Sequence, residues 1–227
     1  REGFQRSGKH VSVLGATGGT GKTAACALNE LGAEVLPLSR SDAKGYEAVY
    51  GMRADLLLNA TPVGMHPELT ACPVAPERIP GLKGVADVIY NPARTLLLQR
   101  AEAAGLATAR GLTMLVHQAS GSAGRFLGAP VDSDRVDETL TWLARETRSI
   151  ALIGMPGSGK STVARHVAEK LRRRLFDTDQ MIESRHGPIP EIFRRDGEVR
   201  FRALEAEAIR EAALARGAVI ATGGGAV

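Results

Sequence analysis

One pattern occurs twice in this chain and constrains it most: a short apolar run, a glycine-rich turn, then apolar residues at helical spacing. The two units run from Val11 to Leu31 and from Ser149 to Leu171. A chain that alternates apolar strand with amphipathic helix returns its strands in parallel through crossovers, which predicts an α/β fold with parallel sheets. Two glycine turns after strands predict two nucleotide sites. The 227 residues suit two small domains. Asp132 to Arg148 has apolar spacing at Val136, Leu140 and Leu143 and reads as the helix closing the first domain. The boundary is therefore placed near Arg148, giving domains over residues 1-148 and 149-227.

Between the two units, Ala54 to Ala60 and Gly84 to Tyr90 read as short strands, Thr95 to Ala104 as a helix ended by Gly105, and Leu112 to Ser120 as a further helix start. Arg40 to Asp55 has room for a short helix but not for a helix plus another strand. The second strand, Glu34 to Leu38, is then expected at a sheet edge, where Pro37 is tolerated because its missing N–H faces no partner.

In the second unit, Ser149 to Ile153 is a strand followed by Gly154-Met155-Pro156-Gly157-Ser158-Gly159-Lys160-Ser161, with full GxxxxGK[ST] spacing. Apolar residues at Val163, Val167 and Leu171 mark a helix whose N-terminus aims free N–H groups at a phosphate. Gly157, Ser158, Gly159, Lys160, Ser161 and Thr162 are the candidate ATP-binding residues: glycine lets the backbone approach, the Lys160 ammonium faces the β and γ phosphates, and the Ser161 hydroxyl suits Mg²⁺. A strand at Leu175-Phe176 ends in Asp177-Thr178-Asp179, and alternation points both carboxylates the same way, with Asp179 also able to cap the next helix. A helix opens at Phe201-Arg202, and a strand, Ala218 to Ala221, runs into Gly223-Gly224-Gly225, a backbone open to close approach.

The series GMPGSGKST, FDTD, IPEIFRRDGEVRFRALE and ATGGGAV resembles shikimate kinase in order and spacing. The resemblance implies that Asp177 holds Mg²⁺ through water and that Lys160 and Asp179 are catalytic, Asp179 binding the shikimate hydroxyls and orienting the attacking one. It also implies that Arg202 pairs with the shikimate carboxylate and that Gly223, Gly224 and Gly225 line the same pocket. A guanidinium suits a carboxylate because it donates two parallel hydrogen bonds. The family's lid, its charge-stabilising arginine and a second carboxylate-binding arginine are expected beyond Val227.

In the first unit, Val11 to Leu14 leads into Gly15-Ala16-Thr17-Gly18-Gly19-Thr20-Gly21, with Ala24 to Leu31 as the helix and Gly32 as its stop. Ala16 stands where a phosphate loop needs its first glycine, so this is read as a dinucleotide turn, with Gly15, Thr17, Gly18 and Gly19 as cofactor-binding candidates. The turn equally resembles other NAD(P)-binding proteins. The second strand ends in Ser39-Arg40-Ser41 with Lys44 nearby, where a nicotinamide-binding fold places an acid for the ribose hydroxyl; a cation there suits the 2′-phosphate and favours NADP.

Downstream, Asp55-Leu56-Leu57-Leu58-Asn59-Ala60-Thr61-Pro62-Val63-Gly64-Met65, then Asp87-Val88-Ile89-Tyr90-Asn91-Pro92, then Gly111 to Ala119, are similar to the NADP-binding part of shikimate dehydrogenase. That likeness implies Thr61 beside the cofactor, Gly111 and Met114 flanking the nicotinamide, and Tyr90 and Gln118 reaching the substrate. The family's catalytic lysine and aspartate are expected before Arg1, with Gly3-Phe4 resembling the pair that follows that aspartate and Phe4 to Lys9 short for the family. A Rossmann-like domain and a P-loop kinase domain, both incomplete, are thus expected, linking 3-dehydroshikimate, shikimate and shikimate 3-phosphate. The rivals are a non-catalytic NADP- and ATP-binding regulator, or another P-loop small-molecule kinase fused to an NAD(P)-binding domain.

Composition narrows the setting. The net charge of +4 at pH 7 is spread over both halves without interleaved aromatics, so no nucleic-acid partner is expected. Arg172, Arg173 and Arg174 read as a solvated helix end. Cys26 and Cys72 lie outside any CxxC spacing, so no disulfide framework or zinc site is expected. No apolar run has the length of a membrane span and no signal pattern opens the chain, so a cytoplasmic protein with no membrane partner is expected. His66 and His117 are assigned no role.

Overall fold

A computed structural model describes residues 9–225, and the calls on Gly3-Phe4 and the start of Phe4 to Lys9 lie outside them. Contacts divide the chain between Leu140 and Thr141, within a helix and upstream of Arg148.

The first unit is built on five parallel strands: β1 (His10–Leu14), β2 (Glu34–Leu38), β3 (Leu56–Asn59), β4 (Gly84–Asp87) and β5 (Ala107–Ala109), in the order β2-β1-β3-β4-β5. Helix α1 (Gly19–Glu30) links β1 to β2, and α2 (Leu96–Ala103) links β4 to β5. Both faces of the sheet carry apolar side chains, as covered parallel strands require. Leu14, Leu38, Leu57 and Val85 belong to one core cluster with Leu97 and Leu98 of α2, while Val11, Val13 and Ala33 form another. The register pairs Leu14 with Leu38 and Val11 with Leu56, so the period-two alternation stays in phase across the sheet.

β2 lies at the edge, as expected. Glu34 N–H donates to the Lys9 carbonyl at 2.9 Å, so the alternate N–H groups of β2 face β1 and the Pro37 nitrogen falls on the open side. Between β2 and β3 the chain makes only a 3₁₀ segment, Gly45–Gly51, which buries Val49. The sequence reading missed β5, whose three residues, Ala107, Thr108 and Ala109, carry too little apolar alternation to show as a strand. α2 has Thr95 as its N-cap, accepting from Leu98 N–H at 3.3 Å, and Gly105 follows it at φ +73°. Helices α3 (Gly111–Leu127) and α4 (Ser133–Glu146) follow, and the division between the units falls inside α4.

The second unit has three parallel strands, β6 (Ile150–Leu152), β7 (Leu175–Asp177) and β8 (Val219–Ala221), in the order β6-β8-β7. Helix α5 (Lys160–Leu171) follows β6 and α6 (Thr178–His186) follows β7. The helix expected to open at Phe201 is longer: α7 spans Ile189–Leu214 and breaks at Gly197, where φ +76° and ψ 173° lie outside helical values. The start of this unit is pinned by Ser149, whose hydroxyl donates to Ala215 O at 2.8 Å and accepts from Ala218 N–H at 3.2 Å. Arg173 is no free helix-end cation: it donates to Arg148 O and Arg145 O at 2.8 and 2.9 Å.

Asp55, 5% exposed just before β3, ties three strands of the first sheet together. It accepts from Lys83 Nζ at 2.7 Å and from His10 N–H at 3.2 Å, at the starts of β4 and β1. The Lys83 hydrogen bond, then that of His10, outweigh burial and hold its carboxyl down at about 2. A depressed carboxyl stabilises the fold fully above its unfolded-state pKa, about 3.9, and that contribution fades as pH falls through the folded value. Asp55→Asn is expected to lower stability at neutral pH by about 1–2 kcal/mol, discounted for the exposed lysine, and to flatten the loss of stability below about pH 4. Urea denaturation across a pH series measures both.

Candidate active sites

In the second unit the glycine loop between β6 and α5 turns through left-handed conformations at Gly157, φ +74°, and Gly159, φ +80°. A Cβ at either would meet nothing within 4 Å, so conformation, not space, selects glycine there. Gly159 is the N-cap of α5, which leaves the first N–H groups of that helix without a side-chain cap. Lys160 Nζ donates to Met155 O at 2.7 Å, lying across its own loop.

A cavity of about 710 Å³ opens here, lined by Gly157, Gly159, Lys160, Ser161 and Thr162 together with Asp179, Arg202, Gly224 and Gly225. Ile189, Phe193 and Phe201 give it an apolar wall, the two rings 4.6 Å apart between centroids. Asp177 is 8% exposed and caps α6 through Gln180 N–H at 3.3 Å. This corrects two readings. The cap is Asp177, not Asp179, and Asp179 lies in the first turn of α6, not on a strand, so strand alternation does not orient it. The carboxylates still come together: burial, then Asp177, then Glu205 push the Asp179 carboxyl up, opposed by Lys160.

Arg202 is clamped by two carboxylates, Nη1 donating to Glu205 Oε2 at 2.9 Å and Nη2 to Glu198 Oε1 at 3.1 Å. Glu205 is 4% exposed and its Oε1 has no partner among the described residues. The glycine run after β8 is closely approached by its neighbours. A Cβ on Gly223 would lie 2.5 Å from Glu205 Oε1 and 2.7 Å from Asp179 Oδ1, one on Gly224 would strike Pro156, and one on Gly225 would strike the Arg202 guanidinium. Gly223 N–H donates to the fully buried Thr178 hydroxyl at 2.9 Å. Glu205 and Thr178 were given no role from sequence; the spacing of Glu205 three residues after Arg202 on a helix was the available signal for the first. Ser158 lies in the loop without lining the cavity.

In the first unit the turn after β1 is tighter than its sequence shows, because α1 starts at Gly19, five residues before the expected Ala24. A Cβ on Gly15, φ +77°, would lie 2.9 Å from Ala60 O, and one on Gly21 would lie 2.8 Å from Ala16 Cα. Gly18 and Gly19 stand at the exposed start of α1, with nothing within 4 Å of a Cβ on Gly19. Thr17, Ser39 and Ser41 join through hydroxyls, Thr17 to Ser39 at 3.4 Å and Ser39 to Ser41 at 2.9 Å. Arg40 and Lys44 are exposed beside them. Asp42, unassigned in the sequence reading, accepts from Ser39 N–H at 2.6 Å and so serves the turn itself.

Thr61 is buried, donating its hydroxyl to Asn59 Oδ1 at 2.7 Å. Gly111, at the start of α3, packs against the end of β4: a Cβ there would lie 2.6 Å from Ile89 O. Tyr90 and Met114 are each 46% exposed, and Gln118 donates to Ser122 Oγ at 3.3 Å on its own helix. No cluster of three His, Cys, Asp or Glu suited to a metal occurs among the described residues. No helix among them is long and apolar enough to cross a membrane.

Residues 156–227 match the family model described as shikimate kinase. Over 80 residues the chain is 56% identical to a shikimate kinase of Moorella thermoacetica, covering 35% of this chain and 46% of that one. The first unit is 36% identical over 135 residues to the shikimate dehydrogenase (NADP(+)) of Archaeoglobus fulgidus, covering 51% of this chain and 50% of that one. Likenesses to two families meet in one chain. The crystal structure of shikimate dehydrogenase 1 from Peptoclostridium difficile is similar at a TM-score of 0.56 and 33% identity, covering 62% of this chain and 55% of that one. The chain spans about half the length of the curated relatives it matches. The likeness to shikimate kinase falls on the P-loop unit, and the likeness to shikimate dehydrogenase on the five-stranded unit.

The steric fit of the glycine run gives a direct test. Gly223→Ala is expected to force Asp179 and Glu205 apart and to destabilise the second unit by on the order of 1–3 kcal/mol. Gly19→Ala, with open space around it, should not destabilise the first unit. Thermal denaturation of both variants checks this, and an unshifted transition for Gly223→Ala would mean that the carboxylates yield freely.

Proposed function

We propose that the chain belongs to a bifunctional enzyme of aromatic biosynthesis: an NADP-dependent unit for reducing 3-dehydroshikimate to shikimate, followed by an ATP-dependent unit for phosphorylating shikimate to shikimate 3-phosphate. The observation that carries the kinase reading is the convergence of Lys160, Asp179, Arg202 and the Gly224-Gly225 backbone on one cavity of about 710 Å³. Such a set suits a small hydroxylated acid beside a nucleotide: a guanidinium for its carboxylate, an acceptor for its hydroxyls and a glycine backbone for close contact. A module that only senses ATP needs none of these.

In this reading the N–H groups of Gly157, Ser158, Gly159 and the first turn of α5 hold the ATP phosphates, and Lys160 exchanges Met155 O for them. Burial first, then the carboxylates of Asp177 and Glu205, push the Asp179 carboxyl up against Lys160, and this gathering of carboxylates suits a divalent cation. Ser161 and Asp177 would hold it, Asp177 through water, and Mg²⁺ when bound would neutralise charge on the transferring phosphoryl group. Asp179 accepts a hydrogen bond from the attacking hydroxyl, and the same surroundings that raise its carboxyl make it a better proton acceptor. Arg202 orients the substrate through its carboxylate.

In the first unit, Gly15, Thr17, Gly18 and Gly19 hold the dinucleotide phosphates at the start of α1. The Ser39, Arg40, Ser41 and Lys44 group binds the adenosine 2′-phosphate, so NADP is the cofactor and supplies the hydride. Thr61, Gly111 and Met114 lie on the nicotinamide side, with Tyr90 and Gln118 toward the substrate. A cytoplasmic setting accompanies this reading.

Two measurements on the chain test it. Calorimetric titration is expected to show NADP bound in preference to NAD, and Arg40→Ala to weaken NADP by roughly tenfold to a hundredfold while leaving NAD unchanged, the size of one charged hydrogen bond. Equal affinity for the two dinucleotides in the unsubstituted chain would overturn the cofactor assignment. Lys160→Ala is expected to abolish binding of ATP with Mg²⁺ and to leave NADP binding intact. Loss of both, or of neither, would remove the assignment of one nucleotide to each unit.

A further inference from the structure

The ends of β3 and β4 carry a buried polar network of which the proposed function uses only Thr61. Asn59, Thr61, Asp87 and Thr95 are 0%, 4%, 2% and 1% exposed. Asp87 Oδ1 accepts from Asn59 Nδ2 at 3.1 Å and from Ile89 N–H at 3.0 Å, and Oδ2 accepts from the Thr95 hydroxyl at 2.7 Å. Asn59 Oδ1 in turn accepts from both Thr61 N–H, at 3.1 Å, and Thr61 Oγ1, at 2.7 Å. The Thr61 hydroxyl then accepts from Val63 N–H at 3.2 Å.

These bonds run in one chain from the turn after β3, residues 59–63, to the turn after β4, residues 87–89, and on to the cap of α2. All the donors to Asp87 are neutral, and burial pushes its carboxyl up against their pull. A carboxylate kept in the core without a cation is costly unless each oxygen is satisfied, and here each is. The two turns it joins are the ones that carry Thr61 on one side and Tyr90 on the other. Gly111 packs directly on the second of them, its missing Cβ leaving room for Ile89 O.

We propose that Asp87 is a positioning residue that locks the turn after β3 and the turn after β4 into one register, so that the cofactor-side and substrate-side loops of the dehydrogenase unit move together or not at all. Thr61 contributes through this lock: its hydroxyl is engaged by Asn59 and Val63, and it holds the loop in place instead of donating to a ligand. The link to cofactor binding rests on the NADP reading above; the coupling of the two turns does not.

The test uses Thr95, which touches neither proposed ligand. Thr95→Val removes the donor to Asp87 Oδ2, and Thr95→Ser keeps it. Amide hydrogen exchange is read at Ile89, Thr61 and Val63, and NADP affinity by calorimetry. Thr95→Val is expected to speed exchange at all three amides and to weaken NADP by roughly three- to tenfold, about the value of one neutral hydrogen bond, with Thr95→Ser close to the unsubstituted chain in both. Thr95 is also the N-cap of α2, so exchange that rises only at Leu98 and its helix neighbours would reduce it to a cap and overturn the proposal. Should Thr95→Val not fold, Asp87→Asn, which keeps the shape, is expected to speed exchange in both turns; a change confined to one turn would equally overturn the coupling. If the unsubstituted chain binds no NADP, the cofactor reading fails while the exchange measurements still decide whether the turns are locked.

Discussion

Every strand pair in both sheets is parallel, and this governs where chemistry can occur. A parallel strand cannot return through a hairpin, so each is left by a crossover, and the loops that follow the strands collect along one edge. In the second unit that edge receives the phosphate loop after β6, the Asp177 cap after β7 and the glycine run after β8. In the first it receives the dinucleotide turn after β1, the serine turn after β2, and the two turns joined by Asp87. The residues that define each site are far apart in sequence, and the topology alone makes them neighbours.

Crowding at that edge explains the glycines better than flexibility does. Gly15, Gly111 and Gly224 sit where a Cβ would meet another strand's loop, Gly21 where it would meet the turn after its own strand, and Gly223 and Gly225 where it would meet side chains of α6 and α7, whereas Gly157 and Gly159 have open space and are selected by φ. The first group measures how closely neighbouring segments approach, and the second how sharply one loop turns. Asp179 and Glu205 can converge behind Gly223 only because no side chain stands between them.

Legibility in the sequence follows the same division. The phosphate loop, the edge position of β2 and the Thr95 helix were readable because their signals are local: a motif with fixed spacing, a proline, a cap with a following glycine. β5 was not, because Ala107 to Ala109 owes its strand to backbone pairing with β4 and has almost no side-chain pattern of its own. The orientation of Asp179 was misread because strand β7 ends at Asp177, and a boundary error of two residues exchanges alternation for a helix turn. Glu205, Thr178 and the Asn59 to Thr95 network were invisible because their partners lie on other elements, which single-sequence periodicity does not report. The likeness to shikimate kinase and shikimate dehydrogenase supplied the roles that spacing could not.

The two sites handle buried charge in opposite ways. In the first unit the Asp87 carboxylate is surrounded by neutral donors and sealed, a closed arrangement that holds two turns in place and has nothing left to offer a ligand. In the second unit Glu205 keeps one oxygen without a partner among the described residues, Asp179 stands half-exposed against two other carboxylates, and Arg202 is held on one side by buried Glu205 but on the other by Glu198, whose side chain is 67% exposed. A surface ion pair of that kind contributes little and exchanges easily, whereas the buried one fixes the guanidinium plane. Arg202 is therefore aimed by Glu205, and in the proposed function it releases Glu198 for an incoming carboxylate. In that same reading, incomplete satisfaction at one edge and complete satisfaction at the other distinguish groups that meet ligands from groups that hold the loops in place.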